Sequence, residues 1–178
     1  NTFIKLLKPS APKEIITIAE QLEFRSMVLV ILFINKPKLT KSATIYFPDG
    51  SFPFTRMYEP KNRSPFMSPK NQTSLALEIP CQSKDKTWEM SDRELIALVS
   101  KNVLRLGWFE RKDILDSAVL RLDNAYPILE LGYEEKVEKL KQYLETFDNL
   151  YLTGRNGKFV YSWLHDMMSY GKNIVQKI

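Results

Sequence analysis

Met27-Val28-Leu29-Val30-Ile31-Leu32-Phe33-Ile34 is an unbroken run of eight apolar residues. It constrains the fold more than any other stretch. A membrane-crossing helix needs roughly 20 such residues, so this run is too short to cross a bilayer. Val28, Val30, Ile31 and Ile34 are β-branched, which costs side-chain freedom in a helix and suits a pleated sheet. The reading is a central strand covered on both faces. A chain of 178 residues can bury one real core around it. It fits one domain, or one domain with a small appendage.

The elements around that strand set the fold class. Ser10 is placed to cap a helix from about Ala11 to Glu23, with Ile15, Ile18, Ala19 and Leu22 on one face. After the strand come a polar loop over residues 35–41, a short strand from Ala43 to Phe47, and a Pro48-Asp49-Gly50 turn. Phe54 to Tyr58 reads as the partner strand. Alternation puts Phe54, Arg56 and Tyr58 on one side and Thr55, Met57 and Glu59 on the other. Residues 60–73 form a long loop, and Ser74 to Ile79 returns as a strand. Ser91-Asp92-Arg93-Glu94 has capping-box spacing and opens a helix to about Leu106. Asp116 to Leu122 is a strand and Glu134 to Phe147 a helix. Leu150 to Leu152 is a short strand, and a last helix covers about Ser162 to Gln176. Hairpin-type connections with interspersed helices predict an α+β fold with a mostly antiparallel sheet.

Composition excludes several chemistries. One histidine (His165) and one cysteine (Cys81) cannot build a His/Cys zinc site, and no metal is expected. No Walker loop and no G-x-G-x-x-G occurs. The net charge of +5 comes from scattered lysines, which is a solvated surface rather than a nucleic-acid footprint. A lone cysteine fits a reducing compartment and reads as a buried structural residue. The first residues lack the sections of a secretion signal, and a cytoplasmic location is expected.

Three places can carry chemistry. The first is the tail from Leu150 to Gly171, where Gly154-Arg155-Asn156-Gly157 sits between a short strand and a helix. Glycines there let the backbone approach a ligand, and a helix N-terminus favours negative charge. Arg155 can hold phosphate or carboxylate. Gly171 shares a helical face with Trp163, Met167 and Ile174, so that face should meet something closely. The bland reading is a hairpin loop with a docked helix. The second place is Arg56 and Tyr58, which point the same way and could floor an anionic or planar ligand. Its bland reading is an exposed amphipathic pair. The third is the loop Asn62 to Ser68, a lid or simply a surface loop.

At these residues a resemblance enters. Leu150-Tyr151-Leu152-Thr153-Gly154-Arg155-Asn156-Gly157-x-Phe159-x-Tyr161, followed by Asp166-Met167, resembles the closing FAD motif of the amine oxidase and protoporphyrinogen oxidase-like flavoprotein superfamily. The UDP-galactopyranose mutases belong to it. Ala125-Tyr126-Pro127, Arg56-x-Tyr58-Glu59-Pro60 and Glu78-Ile79-Pro80-Cys81 with Trp88 also resemble family segments, in order along nearly the whole chain.

The resemblance implies FAD as cofactor. Gly154, Arg155, Gly157, Tyr161, Asp166 and Met167 would be cofactor-binding, with Gly154 and Arg155 toward the ribityl-phosphate. The Met167 amide and Asp166 would face the isoalloxazine. Arg56 and Tyr58 would meet a small-molecule substrate. No catalytic side chain is assigned. The family's glycine fingerprint is missing, so the expectation is a C-terminal fragment. It comprises a substrate-binding-like domain over 1–130, then over 131–178 a helix and the closing strand and helix of the FAD domain. Such a piece alone should be inactive. Its last strand and helix (Tyr151, Trp163, Met167, Met168, Tyr170) should be exposed, swapped or self-associated. The implied activity is hydride transfer from a small organic substrate to flavin. Two alternatives are a flavin-dependent nucleotide-sugar mutase, with Arg56 and Arg155 on the substrate pyrophosphate, and a non-catalytic α+β interaction module.

Overall fold

A computed structural model describes residues 2–176 and 178. The α+β expectation holds: helices are combined with a five-stranded antiparallel sheet. The chain divides into two compact units, residues 25–123 and residues 1–24 with 124–178.

In the unit 25–123, the apolar run lies inside β1 (Phe24–Ile34), which starts three residues before the run. The other strands are β2 (Thr44–Tyr46), β3 (Arg56–Tyr58), β4 (Thr73–Cys81) and β5 (Ile114–Pro127), in spatial order β2-β3-β4-β1-β5. β1 and β4 pair from Ser26↔Cys81 to Ile34↔Thr73. That register sets Val28 opposite Ile79, Val30 opposite Leu77 and Leu32 opposite Leu75 on one face. A helix after the short turn α3 (Lys86–Glu89), α4 (Asp92–Val103), lays Leu95, Val99 and Val103 into the same buried cluster. All three are fully buried, and burying each such side chain is worth about 1.5–3 kcal/mol. The capping box is present: Ser91 Oγ accepts the Glu94 N–H, and the Glu94 carboxylate accepts the Ser91 N–H at 2.8 Å.

One expectation for β1 needs correcting. Leu29 and Ile31 are only part-buried and Phe33 is 39% exposed. β1 is thus fully covered on one face and only partly on the other, because the run is apolar at both parities while α4 supplies one apolar stripe.

A second correction concerns β3. Phe54 does not share a side with Arg56; it is fully buried in the core with Met57. The Thr55 N–H bonds the Glu78 carbonyl at 3.0 Å while Arg56 is the register partner of Glu78. Two successive residues answer one partner, as in a β-bulge, and the alternation slips by one.

The other unit is held by α1 (Thr2–Lys5), α2 (Lys13–Glu20) and α5 (Tyr133–Leu144). Ile4, Ala11, Ala19, Leu22, Leu140, Leu144 and Phe159 form its buried cluster. Pro12, not Ser10, occupies the cap of α2, and no side chain caps it. A proline suits that place because its missing N–H would have no partner in the first turn anyway. The expected strand over Leu150 to Leu152 is absent; the segment is irregular, and Leu150 and Leu152 pack on the cluster. The expected loop after it is a short helix, α6 (Gly154–Lys158), and α7 (Leu164–Val175) follows.

Candidate functional site

The tail is shaped by backbone requirements at both ends of α6. Gly154 has φ +74°, which an L side chain adopts only under strain. Phe159 closes the turn at φ 53°, and its ring is buried edge-on to Phe24 at 5.1 Å. The buried ring compensates the unfavourable dihedral. A Cβ at Gly154 or at Gly157 would meet nothing within 4 Å, so the backbone there borders open space.

Arg155 is half-buried and has local work. Its Nη2 donates to the Ser162 carbonyl at 3.0 Å, and its guanidinium lies 5.1 Å from the centre of the Tyr126 ring. Tyr126 in turn stacks on Tyr161, with ring centres 5.8 Å apart and planes 17° from parallel. Asn156 donates to the Asn124 carbonyl at 3.2 Å. The motif residues thus form one layered cluster, cation on ring on ring, with Tyr161 58% exposed on its outer side.

Asp166 is the third residue of α7 and bonds back to its N-cap, Trp163. Its Oδ2 accepts the Trp163 N–H at 2.8 Å. The Met167 N–H donates to the Trp163 carbonyl at 3.2 Å, inside the helical ladder. The N–H groups without intrahelical acceptors at a helix start are the preceding ones, here Leu164, His165 and Asp166. Gly171 does not mark a close approach, since a Cβ there would meet nothing within 4 Å.

The most telling feature of the tail is what α7 leaves uncovered. None of its residues is buried. Trp163, Leu164, Met168 and Val175 are each at least 70% exposed, and Tyr151 and Tyr161 are exposed as well. Of the side chains expected to lack neighbours, Tyr151, Trp163 and Met168 are exposed, and Met167 and Tyr170 are half-covered. Lys158 sits 4.1 Å from the centre of the Tyr170 ring. Chemically, such a surface suits a planar aromatic group carrying negative charge: rings to stack on, open backbone, cations and a helix N-terminus.

The second cluster lies on the less-covered face of the sheet. Arg56 and Tyr58 share that face, as expected. Arg56 is held by Glu78, its cross-strand partner: Nε–Oε2 is 2.7 Å and Nη2–Oε1 is 2.5 Å, a two-pronged pair. The Arg63 guanidinium lies over the Tyr58 ring at 5.3 Å.

The loop 60–73 is built rather than loose. Residues 60–62 and 65–67 are two 3-10 turns. Lys61 Nζ donates to the carbonyls of Pro69, Lys70 and Gln72 at 2.7–2.8 Å. An open hollow of about 650 Å³ is lined by Lys61 and residues 65–70. Glu59, to which the sequence assigned no role, is the organiser: it is 2% exposed. Its carboxylate accepts from the Leu39 and Thr40 N–H groups, both Thr hydroxyls of Thr40 and Thr73, and Asn62 Nδ2. The available signal was weak, a carboxylate directly before a proline in an otherwise acid-free stretch.

No family model and no curated protein matches the chain. Solved structures do. A putative protoporphyrinogen oxidase from Exiguobacterium sp. 255-15 superposes with TM-score 0.74 over 99% of this chain at 16% identity. A reduced UDP-galactopyranose mutase superposes with TM-score 0.67 over 79% of it at 23% identity. This chain spans 38% and 30% of those two chains. The likeness is one of fold, and at that level it bears out the resemblance seen in the sequence.

Proposed function

Proceeding from that shared fold, we propose that the chain is the C-terminal fragment of an FAD-dependent oxidoreductase. In this reading residues 1–130 form most of a substrate domain, and residues 131–178 close an FAD domain. The observation that carries the proposal is α7, a helix with no buried residue, whose exposed apolar side chains Leu164, Met168 and Val175 follow the exposed rings of Tyr161 and Trp163 and which is entered through Gly154 and Arg155.

The residues fit the cofactor. Gly154 and Gly157 border open space where a ribityl-phosphate chain can pass. Tyr161, backed by Tyr126 and Arg155, offers an exposed ring for stacking. Asp166 fixes the first turn of α7 through the Trp163 N–H. The positive end of the helix at that turn would favour negative charge on a group held beside it. Met167 contributes side-chain surface, its N–H being engaged in the helix. FAD would supply the redox chemistry, taking up the hydride of a C–H bond of a small organic substrate. Arg56 and Tyr58 are the substrate-facing residues. Arg155 acts by positioning the Tyr126–Tyr161 stack rather than as a bare phosphate ligand. The pyrophosphate grip belongs to polypeptide outside these 178 residues, since no glycine fingerprint occurs in them. The piece alone is therefore inactive, and a cytoplasmic setting accompanies the reading.

The test is a flavin titration of the chain. FAD is expected to bind weakly, with its fluorescence quenched in a saturable way, and about as well as riboflavin does. Tyr161→Ala and Trp163→Ala are expected to weaken both. No saturable quenching by either flavin at about 1 mM, where a site worth only ~4 kcal/mol is half filled, would remove the proposal.

A further inference from the structure

The register of the sheet lays out its less-covered face row by row. One row reads Tyr46, Arg56, Glu78, Leu29, and the next Thr44, Tyr58, Ala76, Ile31, with Phe33 opposite Ser74 beyond it. On β5, Val119 packs on the core and Arg121 reaches the Trp88 and Met90 carbonyls on the core side. Strand alternation therefore puts Leu120 and Leu122 on the less-covered face, where they are 49% and 44% exposed. The surface is apolar over Leu29, Ile31, Leu120 and Leu122, with Arg25 and Asp116 toward the strand ends, and the charges in the two rows are Arg56 and Glu78.

We propose that Glu78 sets the specificity of this face by neutralising Arg56, so that the face takes an uncharged, apolar portion of a substrate and rejects the pyrophosphate of a nucleotide sugar. The inference deepens the flavoenzyme reading and rests on it in calling the ligand a substrate.

The geometry carries the argument. Arg56 uses Nε and Nη2, one edge of its fork, on the two oxygens of one carboxylate. That edge is what would otherwise grip a phosphate. The pair is part-buried, its side chains 33% and 16% exposed, so water screens it less than a surface pair. A phosphate drawn to Arg56 would also meet the Glu78 charge. The next charged residue on this side of β5, Asp116, is negative too. Arg63, exposed and lying over Tyr58, and Arg25, exposed at the start of β1 with the parity of Leu29 and Ile31, are further cations on this side; each is exposed and outside the Arg56 and Tyr58 rows, and an exposed cation adds little affinity. Between those charges Leu29, Ile31, Leu120 and Leu122 present hydrocarbon, which rewards burial of apolar surface. Strand alternation alone makes Arg56 and Tyr58 an anion floor; the cross-strand Glu78 cancels that charge.

The experiment uses the 178-residue chain, Nile red as a neutral apolar probe and UDP as the pyrophosphate probe. Wild type is expected to enhance Nile red fluorescence saturably. Leu120→Asp should abolish this, UDP should not displace the dye, and UDP alone should give no saturable heat. Glu78→Gln, checked by circular dichroism for an unchanged fold, should gain UDP affinity by at least about tenfold, in a salt-sensitive way. Two results overturn the inference: wild type that binds UDP and loses it in Arg56→Gln, or Glu78→Gln that binds UDP no better than wild type. The wild-type titrations decide the matter even where Glu78→Gln does not fold. Dye binding without flavin binding would keep this inference and remove the flavin reading; flavin binding with UDP held at Arg56 would do the opposite.

Discussion

Arg155 and Tyr126 are joined face-on, the guanidinium 5.1 Å from the ring centre, and the same guanidinium holds the Ser162 carbonyl. The pair ties the turn after Gly154 to the segment leading into α7. Replacing Arg155 with Ala removes a stacked cation worth about 0.5–1 kcal/mol and one hydrogen bond. Arg155 is only half-buried. Arg155→Ala is therefore expected to lower the melting temperature by only a few degrees and to speed amide exchange locally over residues 159–167. A large fall in melting temperature would assign Arg155 a core role instead.

Glu59 is a different kind of residue. Its buried carboxylate collects donors from residues far apart in sequence, Leu39, Thr40, Asn62 and Thr73. Glu59→Leu strands buried N–H and O–H groups at about 1–3 kcal/mol each. Urea unfolding should show a loss of about 3 kcal/mol or more, and Glu59→Gln should lose less. A change under about 1 kcal/mol in Glu59→Leu would mean the donors find water.

Ser91 caps α4, and Ser91→Ala should cost about 1 kcal/mol at neutral pH. The Ser91 hydroxyl, and then its N–H, hold the Glu94 carboxyl below the usual carboxylate range. A lowered folded value means that this contribution is present above the unfolded value, near pH 4, and is lost as pH falls through the folded value. The difference in melting temperature between wild type and Ser91→Ala should therefore shrink in acid. A difference constant from pH 7 down to pH 3 would contradict the carboxylate's share in the cap.

Cys81 is buried, and burial pushes its thiol up, with Asp85 adding to the effect. The thiol stays protonated and shielded at neutral pH, so iodoacetamide should label it slowly in the native chain and fully in denaturant. Because the folded value is raised, its contribution to stability is present below the unfolded value, about 8.5, and declines as pH rises further. Rapid native labelling would place the sulfur at the surface.

Much of the fold was legible because its signals are local. The run at Met27 to Ile34 had to be a strand, and Ser91 with Glu94 had to open a helix, since periodicity and capping need only a few neighbouring residues. What escaped depends on distant partners. The slip at Thr55 and Arg56 comes from both answering Glu78, which lies 22 residues beyond Arg56. The bonding of Glu59 depends on Leu39, 20 residues before it, and Thr73, 14 after it. Leu150 to Leu152 has strand composition, yet Leu150 and Leu152 are drawn onto the helical cluster of α2 and α5. At the candidate site, the residue types at Gly154, Arg155 and Tyr161 were visible in order. The layering of Arg155 on Tyr126 on Tyr161 was not, because Tyr126 comes from the end of β5.

The central claim is that the tail from Thr153 to Met168 lies against a flavin. Hydrogen–deuterium exchange of the chain, with and without about 1 mM FAD, tests it most directly. The account predicts slowed exchange over residues 153–168, centred on Gly154 and the first turn of α7, and none of that protection in Trp163→Ala. Unchanged exchange there, or protection confined to residues outside the tail, would contradict it.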